Sequence, residues 1–355
     1  MLDWRELTLG DVLEVKYGKD HKHLEDGDIP LFGSGGIMRR VNKSLYTDES
    51  ILIPRKGTLN NVIYCNKPFW TVDTMFYTIL NSSLIIPKFV FYQLTLIDFN
   101  NLNVGSAVPS LTVPVIKEIT LTLPPLQEQQ AIAEVLSSLD DKIDLLHRNN
   151  KTLEEIAETL FRQWFVDDNT EMWSTVGDEF DVVMGQSPPG NTYNENEDGV
   201  PFYQGRTDFT LRFPSRRIFC SAPSRMAMAM DTLLSVRAPV GDTNIASEEC
   251  CIGRGLAAIR HKDKTLHYSY TFLLFNFIKE SFDVHEQSGT VFGSISKNEL
   301  LALKCPRLSE PLMFNEKIAV IEDKVTHNNI QIEALSKLRN TLLPKLMSGT
   351  VRVKH

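Results

Sequence analysis

Residues 123–165 read LPPLQEQQAIAEVLSSLDDKIDLLHRNNKTLEEIAETLFRQWF, and the spacing of their apolar side chains sets the architecture. Ile132, Leu136, Leu139, Ile143, Leu146, Leu153, Ala157, Leu160 and Trp164, with Asn150 among them, follow one another at steps of four and three. That is the seam of a coiled-coil helix rather than a broad amphipathic face. No Pro or Gly interrupts Leu126 to Phe165, so at 1.5 Å per residue the stretch predicts a rod of roughly 55–60 Å. A stripe so narrow on a helix so long needs a partner.

The chain contains one. A shift of 182 residues sets Pro124 on Pro306, Leu126 on Leu308, Glu128 on Glu310, Asp141-Lys142-Ile143 on Asp323-Lys324-Val325, and Thr159-Leu160 on Thr341-Leu342. Ile318, Ile321, Val325, Ile332, Leu335 and Leu342, flanked by Phe314 and Leu346, repeat the seam, which Asn328 and Arg339 interrupt. Polar residues at seam positions, here Asn150 and Asn328, fix register at a cost in stability. Pro344 removes a backbone donor and predicts an end or a kink. Residues 124–172 hold 4 basic against 11 acidic side chains, and residues 300–355 hold 9 against 5. Opposite charge favours pairing the two copies with each other.

The duplication extends to the segments between the helices. TLGDVLEVKYG (8–18), IPLFGSGGI (29–37), SILIPRKG (50–57), NVIYC (61–65), TMFYTIL (74–80) and IKEITLTL (116–123) predict strands, and KFVFYQL (88–94) a short helix. Gly10-Asp11 and Gly18 answer to Gly177-Asp178 and Gly185 at a shift of 167, and Ser50-Ile51-Leu52-Ile53-Pro54-Arg55 to Thr232-Leu233-Leu234-Ser235-Val236-Arg237. The expected fold is α+β and internally duplicated: two mixed globules, 1–123 and 169–305, joined by helices at 124–168 and 306–355. Halves related by an approximate two-fold axis across the rod give an antiparallel coiled coil.

Composition narrows the function. The chain has 355 residues, 42% of them apolar, and a formal net charge of −8. No apolar run approaches the roughly 18 residues that cross a bilayer, and MLDWRELTLG lacks a signal-peptide pattern, so a cytoplasmic protein without membrane partners is expected. Cys65, Cys220, Cys250, Cys251 and Cys305 form no C-x-x-C pair and suggest neither a disulfide framework nor a zinc site. Phosphate-loop, H-E-x-x-H and adenine-methyltransferase tetrapeptide motifs are absent. No catalytic residue, metal or cofactor is assigned.

The pattern Pro124-Pro125-Leu126-Gln127-Glu128-Gln129, Ile132-Ala133, Leu136, Leu139-Asp140, Lys142-Ile143 and Leu160-Phe161-Arg162-Gln163-Trp164-Phe165 closely resembles the central region of specificity subunits of type I restriction-modification systems. GDVLEVKYG, GDEFDVVMG and LLSVRAPVG (233–241) are similar to that family's repeated target-recognition domains. The resemblance implies a non-catalytic subunit. Each globule would read one half of a split double-stranded DNA sequence, and the helices would fix the spacer and dock two methyltransferase (M) subunits. The assembly can also recruit restriction (R) subunits. A duplicated scaffold binding protein or carbohydrate is the other reading, and the acidic charge favours it.

Neither globule is basic overall, with 12 basic against 13 acidic side chains in 1–123 and 12 against 16 in 173–299. Phosphate contacts must therefore come from local clusters: Arg39, Arg40 and Lys43 in the first globule, and Arg206, Arg212, Arg216, Arg217 and Arg225 in the second. Arg pairs bidentately with guanine, and Gln or Asn with adenine. That nominates Tyr203, Gln204, Arg206, Thr207 and Arg237 in the second globule, and Ser34, Arg39, Arg55 and Lys56 in the first. Phe161, Trp164 and Phe165 exceed what a two-stranded seam buries, and are expected to face a partner subunit or a globule.

Overall fold

The computed structural model describes residues 4–105, 107–167, 173–210, 212–264, 267–287, 293–306 and 311–353. The chain divides into two compact units, one of Met1–Leu146 with Ile330–His355, the other of His147–Asn329. The central helix, Leu126–Arg162, and the C-terminal helix, Pro311–Met347, are each shared between the units.

In the first unit a four-stranded antiparallel sheet runs in the order Leu13–Tyr17, Met75–Leu80, Ser50–Pro54, Ile63–Cys65. A three-stranded sheet sets Asp26–Gly33 between Gly36–Val41 and Trp70–Thr71. In the second unit the order Phe180–Met184, Leu256–His261, Thr232–Ser235, Thr243–Ile245 repeats the first sheet, strand for strand. Val200–Tyr203 lies between Phe219–Cys220 and Cys250–Ile252, as Asp26–Gly33 does between its neighbours. Each globule closes with an antiparallel ribbon joining its first strand to the strand before a long helix: Arg5–Thr8 with Thr120–Leu123, and Trp173–Thr175 with Lys304–Pro306.

The segment 8–18 is not one strand. Leu9–Val12 is a helical turn, because Asp11 accepts from the Thr8 backbone and hydroxyl at 2.8 and 2.7 Å and satisfies the donors that open a helix. Thr175 and Asp178 repeat this cap at Val176–Glu179. Gly18 and Gly185 also match, since a side chain on either would run into the carbonyl of Val72 or Gly253.

Within each unit the helix segments run antiparallel. In the first, Asp140 pairs with Arg339 at 2.9 Å, realising the opposite charge of the two helices, and Glu128 meets Arg352, just past the C-terminal helix, at 3.8 Å. In the second, Asn150 bonds Asn328 and Asn329 at 2.7 and 3.1 Å, and Phe161 meets Phe314 with ring centroids 6.4 Å apart. Leu136, Ile143, Leu146, Ile318 and Val325 are buried. Leu139, Leu153, Leu160, Ile321, Ile332, Leu335 and Leu342 are half-buried. Ile132, Leu136, Leu346 and Met347 enter the first globule's core beside Leu9, Ile51, Phe76 and Phe89.

Two expectations about the helices change. Pro344 does not end the C-terminal helix, which continues to Met347. It is exposed in the last turn, and Gly349 with φ 69° follows the helix end. The central helix loses α geometry after Arg162 and winds as a π-turn over Gln163–Asp167. The aligned Leu308 and Glu310 lie outside the described residues.

Candidate nucleic-acid interface

A parallel strand pair in each globule directs two loops to one edge. Leu31 and Phe32 lie beside Trp70 and Thr71, and Phe202 and Tyr203 beside Cys251 and Ile252. Parallel neighbours end on the same side, so the loops after residues 33 and 71 emerge together, as do those after 203 and 252.

In the first globule, Asn61 Nδ2 donates to the Ser34 carbonyl at 2.9 Å. Gly57, at φ 90°, lies so near that a Cβ there would stand 2.9 Å from Ser34 Oγ. The hairpin tip at Ser34, the exposed Lys56 and Asn61 thus share one surface. Arg40 and Lys43 are exposed on the same hairpin and its exit, with Arg40 donating to the Asp28 carbonyl at 2.7 Å. Arg39 and Arg55 act as braces. Arg39 bonds Asp26 at 2.9 Å and the carbonyls of His21 and Leu24, and Arg55 bonds the Asp73 carbonyl at 3.0 Å, over the Tyr17 ring.

In the second globule, Gln204, Thr207 and Arg217 line a cleft of about 650 Å³ with Glu195, Asp208 and Ile218. Asp208 organises it, accepting from the Gln204 backbone N–H at 2.7 Å and from Arg217 at 2.5 Å. Arg206 pairs with Asp242, and Arg216 with Glu248 at 2.5 Å; both arginine side chains remain more than half exposed. Arg225 and Arg237 are exposed. The backbone of Arg237 pairs with that of Ser294 in an isolated antiparallel bridge, as the backbone of Lys56 pairs with that of Ser110, so these basic residues occupy matching loops of the two globules.

Two nominated DNA contacts are corrected, and the partner-contact aromatics are resolved. Tyr203 is 1% exposed; it packs in the core, where burial pushes its hydroxyl above the ordinary range. Arg212 is 2% exposed and pairs with Glu322, leaving no cation for a phosphate. Phe161 and Phe165 are 1% and 5% exposed, packed against Tyr270 and Phe314. Of the two faces expected for them, a partner subunit or a globule, it is the globule that they meet. Trp164 stays half-buried, with Lys317 over its ring at 5.1 Å.

Sequence reasoning missed Arg254. It is exposed between Gly253 and Gly255, and a Cβ on those glycines would stand 3.1 Å from Gln204 Cα or collide with the Gln204 carbonyl. Arg254 therefore stands beside the Gln204–Thr207 turn, and the Gly-Arg-Gly triplet was its signal. Among the described residues no cluster of His, Cys, Asp or Glu is arranged for a metal, and no helix is long and apolar enough to cross a membrane.

The family model described as type I restriction modification DNA specificity domain matches residues 1–155. A relative from Methanocaldococcus jannaschii, named for the specificity subunit of the type I restriction enzyme MjaX, is 30% identical over a 404-residue alignment covering 99% of this chain and 94% of the relative. The HindI specificity subunit of Haemophilus influenzae is 34% identical over 179 residues, 45% of this chain and 35% of that one. The solved S subunit of a type I restriction-modification system from M. genitalium has the same fold, with a TM-score of 0.67 at 17% identity over 97% of this chain and 96% of that one.

Proposed function

Because the chain belongs to the specificity subunits of type I restriction enzymes, we propose that each of its globules reads one half of a bipartite double-stranded DNA target. In this reading the two helices set the spacer and dock two methyltransferase subunits, restriction subunits join the same assembly, and the chain itself performs no catalysis. The observation that supports it is the repetition of one loop-bearing edge: parallel strands delivering paired loops, with a basic residue whose backbone pairs antiparallel with that of a serine at Lys56–Ser110 and again at Arg237–Ser294. Exposed Arg40, Lys43 and Lys56 on one globule, and Gln204, Arg216, Arg225, Arg237 and Arg254 on the other, supply phosphate and base-edge donors. Local placement lets a chain of net charge −8 approach DNA.

A salt titration of the chain assembled with its methyltransferase subunits, on a duplex of arbitrary sequence, tests the phosphate contacts. Log K should fall by about 0.9 per phosphate neutralised for each tenfold rise in salt. Replacing Arg40, Lys43 and Lys56 together by Ala should lower that slope by up to about 2.7 and weaken all sequences alike. An unchanged slope would remove these three from the interface.

A further inference from the structure

At the shift of 182 residues, Asp140 of the central helix corresponds to Glu322 of the C-terminal helix, and the two carboxylates hold matching partners in their separate units. Asp140 accepts from the Tyr92 hydroxyl at 2.6 Å and from Arg339 at 2.9 Å; Tyr92 lies on the globule's helix Pro87–Thr95. Glu322, 1% exposed, accepts from the Tyr268 hydroxyl at 3.2 Å and from Arg212. Tyr268 begins the helix Tyr268–Gln287, which follows the four-stranded sheet as Pro87–Thr95 does in the first globule.

The source of the cation differs. In the first unit it is the other long helix. In the second it is the globule itself, and Arg212 also lies 4.0 Å from Glu154 of the central helix and 4.2 Å over the Phe272 ring. From Arg212 the path to the reading loop is short. The Ser215 backbone N–H donates to the Asp208 carbonyl at 2.8 Å, and the Asp208 carboxylate accepts from the Gln204 backbone N–H at 2.7 Å.

Resting on the DNA-reading function above, we propose that Arg212, Glu322 and Tyr268 form a positioning lock that fixes the second globule's reading loop on the helix pair. The first globule is tied through Tyr92 and Asp140 without a cation of its own. Removing Arg212 would leave Glu154 and Glu322 facing each other. Glu158 on the central helix, Asp323 on the C-terminal helix, and His267 and Tyr268 on the globule are the other titratable groups around them.

The test uses the full chain with its cognate methyltransferase subunits. Methylation profiling of cells expressing the assembly defines the two half-sites, and competition with duplexes altered in one half at a time gives the discrimination at each. Arg212→Met is expected to lose discrimination on the order of tenfold at one half only, since a buried pair has lost a partner. Adding Glu322→Gln, which removes the carboxylate left without its partner, should recover part of it.

Tyr268→Phe, which deletes one hydroxyl and serves should Arg212→Met fail to fold, should weaken the same half by about threefold. Tyr92→Phe should weaken the other. Folded variants, checked by circular dichroism, that leave both halves unchanged or weaken both equally overturn the lock. Absence of a two-part motif for the unaltered chain would instead overturn the proposed function.

Discussion

His261 and His267 both belong to the second unit, and burial holds both imidazoles below their ordinary pKa. His261 packs edge-on against Phe180 at 4.8 Å, and His267 Nδ1 lies 2.5 Å from the Ser269 hydroxyl. Unfolded histidine takes a proton near pH 6.5, the folded pair only at lower pH, so the unfolded chain binds more protons in between. Stability of this unit should fall as the pH drops from about 7 to about 5.5, and His261→Gln with His267→Gln should flatten the dependence of the melting temperature. Glu154, raised by burial, acts in the opposite sense at lower pH. A slope that survives the double substitution would place the proton uptake elsewhere. Arg212 and Arg225 look alike in the sequence, as basic residues near the Tyr203–Thr207 turn. Only the fold separates them, because the carboxylate that takes Arg212 lies 110 residues away. Arg254 was obscured for a similar reason: its neighbour Gln204 is reached through a parallel strand pairing, which local pattern does not reveal.

The long helices were legible because their seam is a local periodicity, and their pairing because the second copy repeats it. The buried Glu322 was not, since it occupies the helix face turned to Arg212 and Tyr268 rather than the seam. Nor was the π-turn at Gln163–Asp167, which follows the point where Phe161 enters a globule's core. Asn150 and Asn328 are 4% and 0% exposed, and Asn328 Oδ1 has no hydrogen-bond partner among the described residues. An unsatisfied buried amide costs about 1–3 kcal/mol. Asn150→Leu with Asn328→Leu should therefore raise stability by about 1–2 kcal/mol while relaxing helix register, measurable as a higher denaturant midpoint. A lower midpoint would mean that the amide cluster is net stabilising.

For the molecule as a whole, the duplication is what connects sequence to function. Two sheets of the same strand order, two capped turns at Thr8–Asp11 and Thr175–Asp178, and two carboxylate–tyrosine contacts at Asp140 and Glu322 repeat one design on one chain. A duplicated reader should recognise a duplicated kind of target: two short sequences separated by bases that are not read. Methylation profiling of DNA from cells expressing this chain with its cognate methyltransferase subunits measures that directly. The account predicts adenine methylation in a two-part motif whose halves differ and whose spacer has one fixed length. A single undivided motif, or a motif with spacers of variable length, would contradict it.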